Sequence, residues 1–368
     1  MSINTQKNKI LVFRNGGPLR AYEKWNYNNV PIDTVSFYKY LGVVFSTKLK
    51  LSKTKEVQIL QSEKAINMMK CIDKKCQGIN LSCAVQIFDK MILPILLYGS
   101  EIWGHSFCTK IENVHLKFFK YVLKLPSHTS NSAVLGELGR SYLFVNSANR
   151  CIRYWVKLLC MPDHRLPKQT YVMLHNLDMN GRKTWASYVK NLLFRYGFGI
   201  VWISQTIGNC AEFIYLFTQR IRECCAQEWH YSLYENSRLV YYSQFKSMLG
   251  LEPYLLSTYD RKFKRALIKF RCASYLFMNT LCKWRKLPED HKICRLCDLH
   301  ECKDECHFLL RCSEYDSLRS KYIHVDNKYD TKYQFIQLMS NNEQTVVINI
   351  SKFIYFAIEI RKTLSTSA

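Results

Sequence analysis

The chain has 368 residues, 48% of them hydrophobic and 14% aromatic, enough to fold as a globular protein of two or three domains. Fifty-three Lys and Arg against 29 Asp and Glu leave a formal charge of +24, which favours polyanionic partners, nucleic acid first and an anionic membrane surface second. No run approaches the roughly 20 apolar residues of a membrane span, and MSINTQKNKILVF lacks the apolar stretch of a signal peptide. The expectation is an intracellular protein, in nucleus or cytoplasm, with no membrane partner.

In chain order, residues 1–50 read as extended structure, with KILVF at 9–13, a turn at Gly16 and Gly17, and the β-branched and aromatic run VSFYKYLGVVFS at 35–46. From Leu51 the spacing becomes helical, with apolar residues at Val57, Ile59, Leu60, Ala65, Ile66 and Met69. Further helices are predicted over 83–99, 111–125, 146–160, 184–196, 212–234 and 261–281, and Pro94 is expected to kink or end the first of these. Loops are expected around Pro126, Pro162 to Pro167, Asn180–Gly181 and Gly208–Asn209. Two or three helices follow residue 314, the last with a stripe of Phe353, Ile354, Ala357, Ile358 and Ile360. The fold class is therefore mainly α with a small N-terminal β-strand piece.

Thiols stay reduced in an intracellular setting, so the sixteen cysteines read as small core residues plus metal ligands. Cys71, Cys83, Cys151, Cys160, Cys272 and Cys282 sit among apolar neighbours and are expected in the core. ICRLCDLHECKDECHFLLRC, residues 293–312, is different: it holds five cysteines and two histidines. Cys294, Cys297, His307 and Cys312 form C-x2-C-x9-H-x4-C, a set suited to a closed tetrahedral zinc site that stabilises a segment too short to own a core. The FLL at 308–310 favours this set by offering a helical start beneath the metal, while His300, Cys302 and Cys306 leave open a rival, Cys294, Cys297, Cys302 and Cys306.

Just upstream, residues 261–286 carry nine basic residues and no acidic one. Phe263, Ala266, Leu267, Phe270, Ser274 and Phe277 keep the rhythm of a buried stripe, which assigns Lys262, Lys264, Arg265, Lys269 and Arg271 to the solvent side. Together with Lys283, Arg285 and Lys286 they are candidates for contacts to a phosphate backbone, which would position a strand without reading its sequence. The aromatics of KFFKYVLK (117–124) and RYWVK (153–157) read as core rather than as stacking platforms. Catalytic constellations do not stand out: no two aspartates are adjacent, no phosphate-binding glycine loop, G-x-S-x-G turn or H-E-x-x-H helix occurs, and Glu101 and Glu137 read as structural partners of basic residues.

INTQKNKILVF, FYKYLGVVF, LPILLYGSEIWG, VHLKFFKYVLKL, TSNSAVLGELGR, RYWVKLL, CRLC…DECHFLLRCSEY and KFIYFAIEIRK follow one another in an order that resembles the C-terminal portion of non-LTR (LINE-type) retrotransposon reverse transcriptase polyproteins. The resemblance implies a residual palm edge over 1–50, thumb-like helices over 51–125, a helical connecting domain over 126–290, a zinc module over 291–315 and C-terminal helices over 316–368. It places Tyr40, Leu41 and Gly42 on the motif that grips the primer strand, and it matches Cys294, Cys297, His307 and Cys312 to a zinc motif that assists RNA or target-DNA binding. It further implies that the catalytic aspartates and the endonuclease precede this segment, so the expected product is a nucleic-acid-binding remnant with no polymerase activity alone. Expected partners are RNA or DNA, with a separate polymerase half or another retroelement protein; a protein-interaction zinc module and a non-functional product of a decayed element are the alternatives.

Overall fold

A computed structural model of the chain describes residues 8–366 apart from 15–16, 19, 21, 28, 77, 276, 278–291 and 325–328. Its contacts divide the chain into two units, neither a continuous stretch: one takes residues 1–78, 85–114 and 143–218, the other 79–84, 115–142 and 219–368. The architecture is mainly helical, and the strands among the described residues form two short N-terminal hairpins.

In the first unit, β1 (Trp25–Tyr27) pairs antiparallel with β2 (Val30–Ile32), and β3 (Phe37–Tyr40) with β4 (Val43–Ser46). The second hairpin reverses over Leu41 and Gly42, both at positive φ (47° and 83°), the two-residue turn whose twist matches a right-handed ribbon. The long helix α1 (Ser52–Lys75) docks on this hairpin through polar groups: Thr54 Oγ1 accepts from the Val44 N–H at 3.0 Å and donates to the Val44 carbonyl, and Gln58 Nε2 donates to the Gly42 carbonyl at 3.2 Å. Its buried stripe is Thr54, Gln58, Ser62, Ile66, Met69 and Asp73, whereas Leu60, expected on the apolar face, is exposed. Satisfying the strand's backbone groups, rather than apolar periodicity, sets the rotation of this helix.

The expected break at Pro94 takes a specific form. The helix α2 (Leu81–Ile87) widens into a π-turn at Phe88–Ile92 before α3 (Leu93–Leu96), an adjustment that accommodates a proline with no N–H to donate. Next come α4 (Ser100–Trp103), α5 (Thr109–Val122) and α6 (Asn131–Leu138). The central helix of the first unit is α7 (Phe144–Leu159), which buries nine of its side chains, Cys151, Ile152 and Trp155 among them. The buried carboxylate of Glu112 receives the N–H groups of Leu143 and Phe144 at 3.0 and 2.9 Å and so caps the start of α7. At Gly104 an added Cβ would lie 2.3 Å from the Ser147 carbonyl oxygen, so only glycine lets α4 approach α7 this closely. α8 (Leu166–Met179), α9 (Trp185–Arg195) and α10 (Gly199–Ser204) pack alongside, and the indole of Trp155 donates to Tyr171, which donates to Gln205.

The helix α11 (Cys210–Tyr234) and the short α12 (Tyr242–Phe245) lead to α13 (Arg261–Arg271), and α14 (Asp316–Tyr322), α15 (Thr331–Ser340) and α16 (Gln344–Thr366) complete the chain. In the second unit, α13 packs along α16, and the Trp229 indole donates to the Ser132 carbonyl at 2.8 Å. Of the cysteines expected in the core, Cys151 and Cys272 are buried, but Cys71, Cys83 and Cys160 are exposed, because each falls on the outward side of a helix or at its end; Cys282 lies outside the described residues. The aromatics Phe118, Phe119 and Trp155 are core, as expected. None of the described helices is long and apolar enough to cross a membrane.

Candidate metal centre and basic surface

Four side chains converge in the second unit. One ligand atom each from Cys294, Cys297, His307 and Cys312 lies within 4.8 Å of the others. The Sγ atoms of Cys294 and Cys312 are 3.9 Å apart, and Cys297 Sγ is 3.4 Å from His307 Nε2. A tetrahedral zinc ion with ordinary bond lengths sets sulfurs about 3.8 Å from each other and about 3.5 Å from an imidazole nitrogen, so these two donor pairs already match edges of such a tetrahedron.

Local structure explains the convergence. Cys294 and Cys297 leave a small antiparallel ladder in which Ile293 faces Cys302, the Cys294 N–H donates to the Glu301 carbonyl and the Lys303 N–H to the Lys292 carbonyl, both at 2.8 Å. Asp304 then starts the helical segment: its carboxylate accepts the His307 N–H at 2.8 Å and the Tyr241 hydroxyl at 2.6 Å. His307–Arg311 forms a π-turn, closed by the Cys312 N–H on the His307 carbonyl at 2.9 Å. On an α-helix, residues five apart point to different sides; the wider turn with its i+5 bond brings Cys312 back over His307. The x4 spacing in the sequence is the signature of that turn.

The residues left open by spacing now separate from the site. Cys302 is exposed on the ladder, His300 is exposed at φ 51°, and Cys306 turns away toward the Thr331 carbonyl, 3.9 Å from it. Burial pushes the Cys306 thiol up to about 12, the opposite of what a ligand needs.

The electrostatics favour a cation among the four donors. The Cys294 thiol is lowered to about 3, first by its contact with Cys312 and against its burial, with His307, the Leu296 N–H and the Lys303 ammonium adding to it; the Cys312 thiol is raised. A divalent ion among these donors would take the place of the thiol protons. His307 Nδ1 meets Glu301 at 3.1 Å, and the other oxygen of that carboxylate holds Arg311 at 2.6 Å. This fixes the tautomer that leaves Nε2 for a metal. Three thiolates, an imidazole and Zn²⁺ sum to one negative charge, and the buried Lys303 ammonium sits within the field of Cys294, Cys312 and Cys297. No open ligand position follows from this set, so a bound zinc would be structural. Neither Glu301 nor Lys303 could be singled out from spacing, since an acid six residues before a histidine carries no pattern.

The π-turn also joins the site to the basic helix. Phe308, fully buried, meets Phe270 of α13 with ring centroids 5.7 Å apart and Phe353 of α16 at 6.0 Å. On the outer side of α13, Lys262 and Arg265 are exposed, while Lys264 and Lys269 are half-buried. Lys262 pairs with Asp260 at 3.5 Å, and Lys264 is turned onto the carbonyls of Leu255 and Ser257. Arg271 departs from the expectation: it is buried, with Nε on Glu137 at 3.0 Å and a terminal nitrogen on Glu252 at 2.8 Å. The reason is periodicity itself, since residue 271 lies four after Leu267 and so on the inward face. The helix also ends at Arg271 rather than running to 281, and Lys283, Arg285 and Lys286 lie outside the described residues. A cation that the sequence analysis missed, Lys362 of α16, joins the group: the Lys269 ammonium is lowered by burial, then by Lys362 and then by Arg265. Tyr40, Leu41 and Gly42 belong to the first unit, where they form the exposed reversal of the second hairpin, with the Tyr98 hydroxyl on the Leu41 carbonyl at 2.8 Å.

No protein-family model, curated protein or solved structure matches the chain.

Proposed function

We propose that this chain is a zinc-braced, sequence-indifferent nucleic-acid-binding protein whose strand contacts come from the outer face of α13 and the neighbouring end of α16. The supporting observation is the crowding of Arg265, Lys269 and Lys362, in which the charges of the other two weigh against that of Lys269. Among the described residues, neither Arg265 nor Lys269 pairs with a carboxylate. Lys362 is paired with Glu359 at 2.7 Å, which leaves Arg265 and Lys269 as the cations of this group that a phosphate backbone, releasing its own condensed ions on binding, would stabilise. The metal centre's part is positional: it fixes the π-turn on which Phe308 supports both helices.

On this reading the resemblance to the C-terminal portion of a non-LTR retroelement reverse transcriptase supplies the context. The chain binds RNA or DNA for a polymerase activity that it does not itself possess. Single-stranded RNA binding, measured from low to moderate salt, tests this reading: affinity should fall steeply and linearly on logarithmic axes, and a flat response would remove it. Primer extension by the purified chain should give no product.

A second reading, a protein-interaction module, draws on the first unit, where Leu41 is 73%, Leu60 58% and Met68 65% exposed. A monodisperse monomer by light scattering would count against it.

A further inference from the structure

The first unit contains a second close pair of thiols, with no connection to the metal centre. Cys160 closes the C-terminal end of α7 and is exposed; Cys210 opens α11 and is half-buried; their Sγ atoms are 3.5 Å apart. We infer that Cys160 and Cys210 form a reversible disulfide by exchange with a low-molecular-weight disulfide such as oxidised glutathione.

Both ends of the pair are anchored. The Cys160 N–H is held on the Val156 carbonyl at 3.1 Å, and Lys168 donates to the adjoining Leu159 carbonyl at 2.9 Å. On the other side, the Asn209 side chain accepts the N–H groups of Ala211 and Glu212 at 3.0 and 3.1 Å and fixes where α11 begins. A disulfide needs its sulfurs about 2.0 Å apart, so a closure of about 1.5 Å remains. Among the described residues the other thiols at comparable distance, Cys294 and Cys312, belong to the metal centre.

Exposure sets the order of steps. The Cys160 thiolate attacks one sulfur of glutathione disulfide, forming a mixed disulfide and releasing one glutathione thiolate. Cys210, at the first turn of α11, then attacks the Cys160 sulfur as its thiolate and expels the second glutathione. Two protein thiols are oxidised, one external disulfide is reduced to two thiols, and the two protons pass to the departing glutathiones. The product closes residues 161–209, which include α8, α9 and α10, into a covalent loop.

The test uses the full zinc-loaded chain in glutathione buffers of increasing oxidising strength, followed by acid quench, alkylation and peptide mapping without reduction. The expected result is a Cys160–Cys210 peptide pair two hydrogens lighter than the free thiols, formed before any other crosslink and lost on adding dithiothreitol. In Cys210→Ser, Cys160 should instead retain glutathione. Wild-type protein with glutathione on Cys160 and an alkylated Cys210, or with both alkylated while other cysteines have oxidised, would overturn the inference. These wild-type maps decide the matter even if a serine variant fails to fold.

Discussion

Arg271 and Glu137, 134 residues apart in sequence, form a buried pair in which the guanidinium Nε donates to both carboxylate oxygens at 3.0 and 3.2 Å. Burial opposes the charge on Arg271, but Glu137 first, and then Tyr254, Glu252 and Tyr242, hold it above the usual arginine range. Glu252 and the Met339 carbonyl take further donors of the guanidinium, while Lys246 and Tyr254 attend the two carboxylates. Removing one partner strands the other. Arg271→Met should therefore cost about 3–5 kcal/mol in chemical denaturation, and Glu137→Gln with Arg271→Met should cost less than the sum of the single changes. An exposed phosphate-binding arginine would instead leave stability nearly unchanged.

The four-donor assignment predicts a graded response in metal content. Cys297→Ser and His307→Ala should lose bound zinc, and Cys302→Ser should retain it. Glu301→Gln should keep the ion but weaken its affinity about 10–100-fold, because the His307 ring loses its orienting carboxylate. Competition with a chelator of known affinity measures all four.

For the basic surface, Arg265→Glu with Lys269→Glu should lower single-stranded RNA affinity and reduce the magnitude of the salt slope by about two, with little change in thermal stability. Retention of the full slope in a folded variant would place the strand elsewhere on the chain.

His105 supplies a pH signature in the first unit. Its ring stacks on Tyr188, centroids 4.1 Å apart and planes within 5°, and it is lowered to about 4 by burial and then by the Lys55 ammonium. The unfolded chain takes up this proton near pH 6.5 and the folded chain only near pH 4, so the stability contributed above the first value is lost as pH falls toward the second. His105→Phe keeps a stacking ring and removes the titration. Its melting temperature should decline less than that of the wild type across this window, and since both proteins carry the same Cys294, Cys297, His307 and Cys312 cluster, the acid response of that cluster cancels in the comparison.

The mainly helical class and the Cys294, Cys297, His307 and Cys312 set were legible in the sequence, because each rests on local spacing, whereas the reversal at Leu41–Gly42 lay inside what reads as one strand-like run at 35–46. The break at Pro94 was legible as a break but not as a π-turn. What periodicity could not supply was long-range pairing. The rotation of α1 follows from Thr54 reaching the Val44 backbone, and the inward Arg271 is tolerated only because Glu137 and Glu252 meet it there. Likewise Lys362 became part of the basic surface only once α16 lay beside α13. The ligand set illustrates the same limit from the other side: spacing alone left Cys302 and Cys306 in contention, and only the tertiary placement, Cys302 exposed on the ladder and Cys306 turned toward the Thr331 carbonyl, separates them from the site.

The most direct measurement is single-stranded RNA binding by fluorescence anisotropy, made on the zinc-loaded chain and again after chelation, with helical content followed by circular dichroism in the same samples. If the metal braces the helices that carry the strand, chelation should lower helical content and abolish the salt-sensitive binding, and restoring zinc should recover both. Unchanged helicity and unchanged affinity in the metal-free chain would contradict the account.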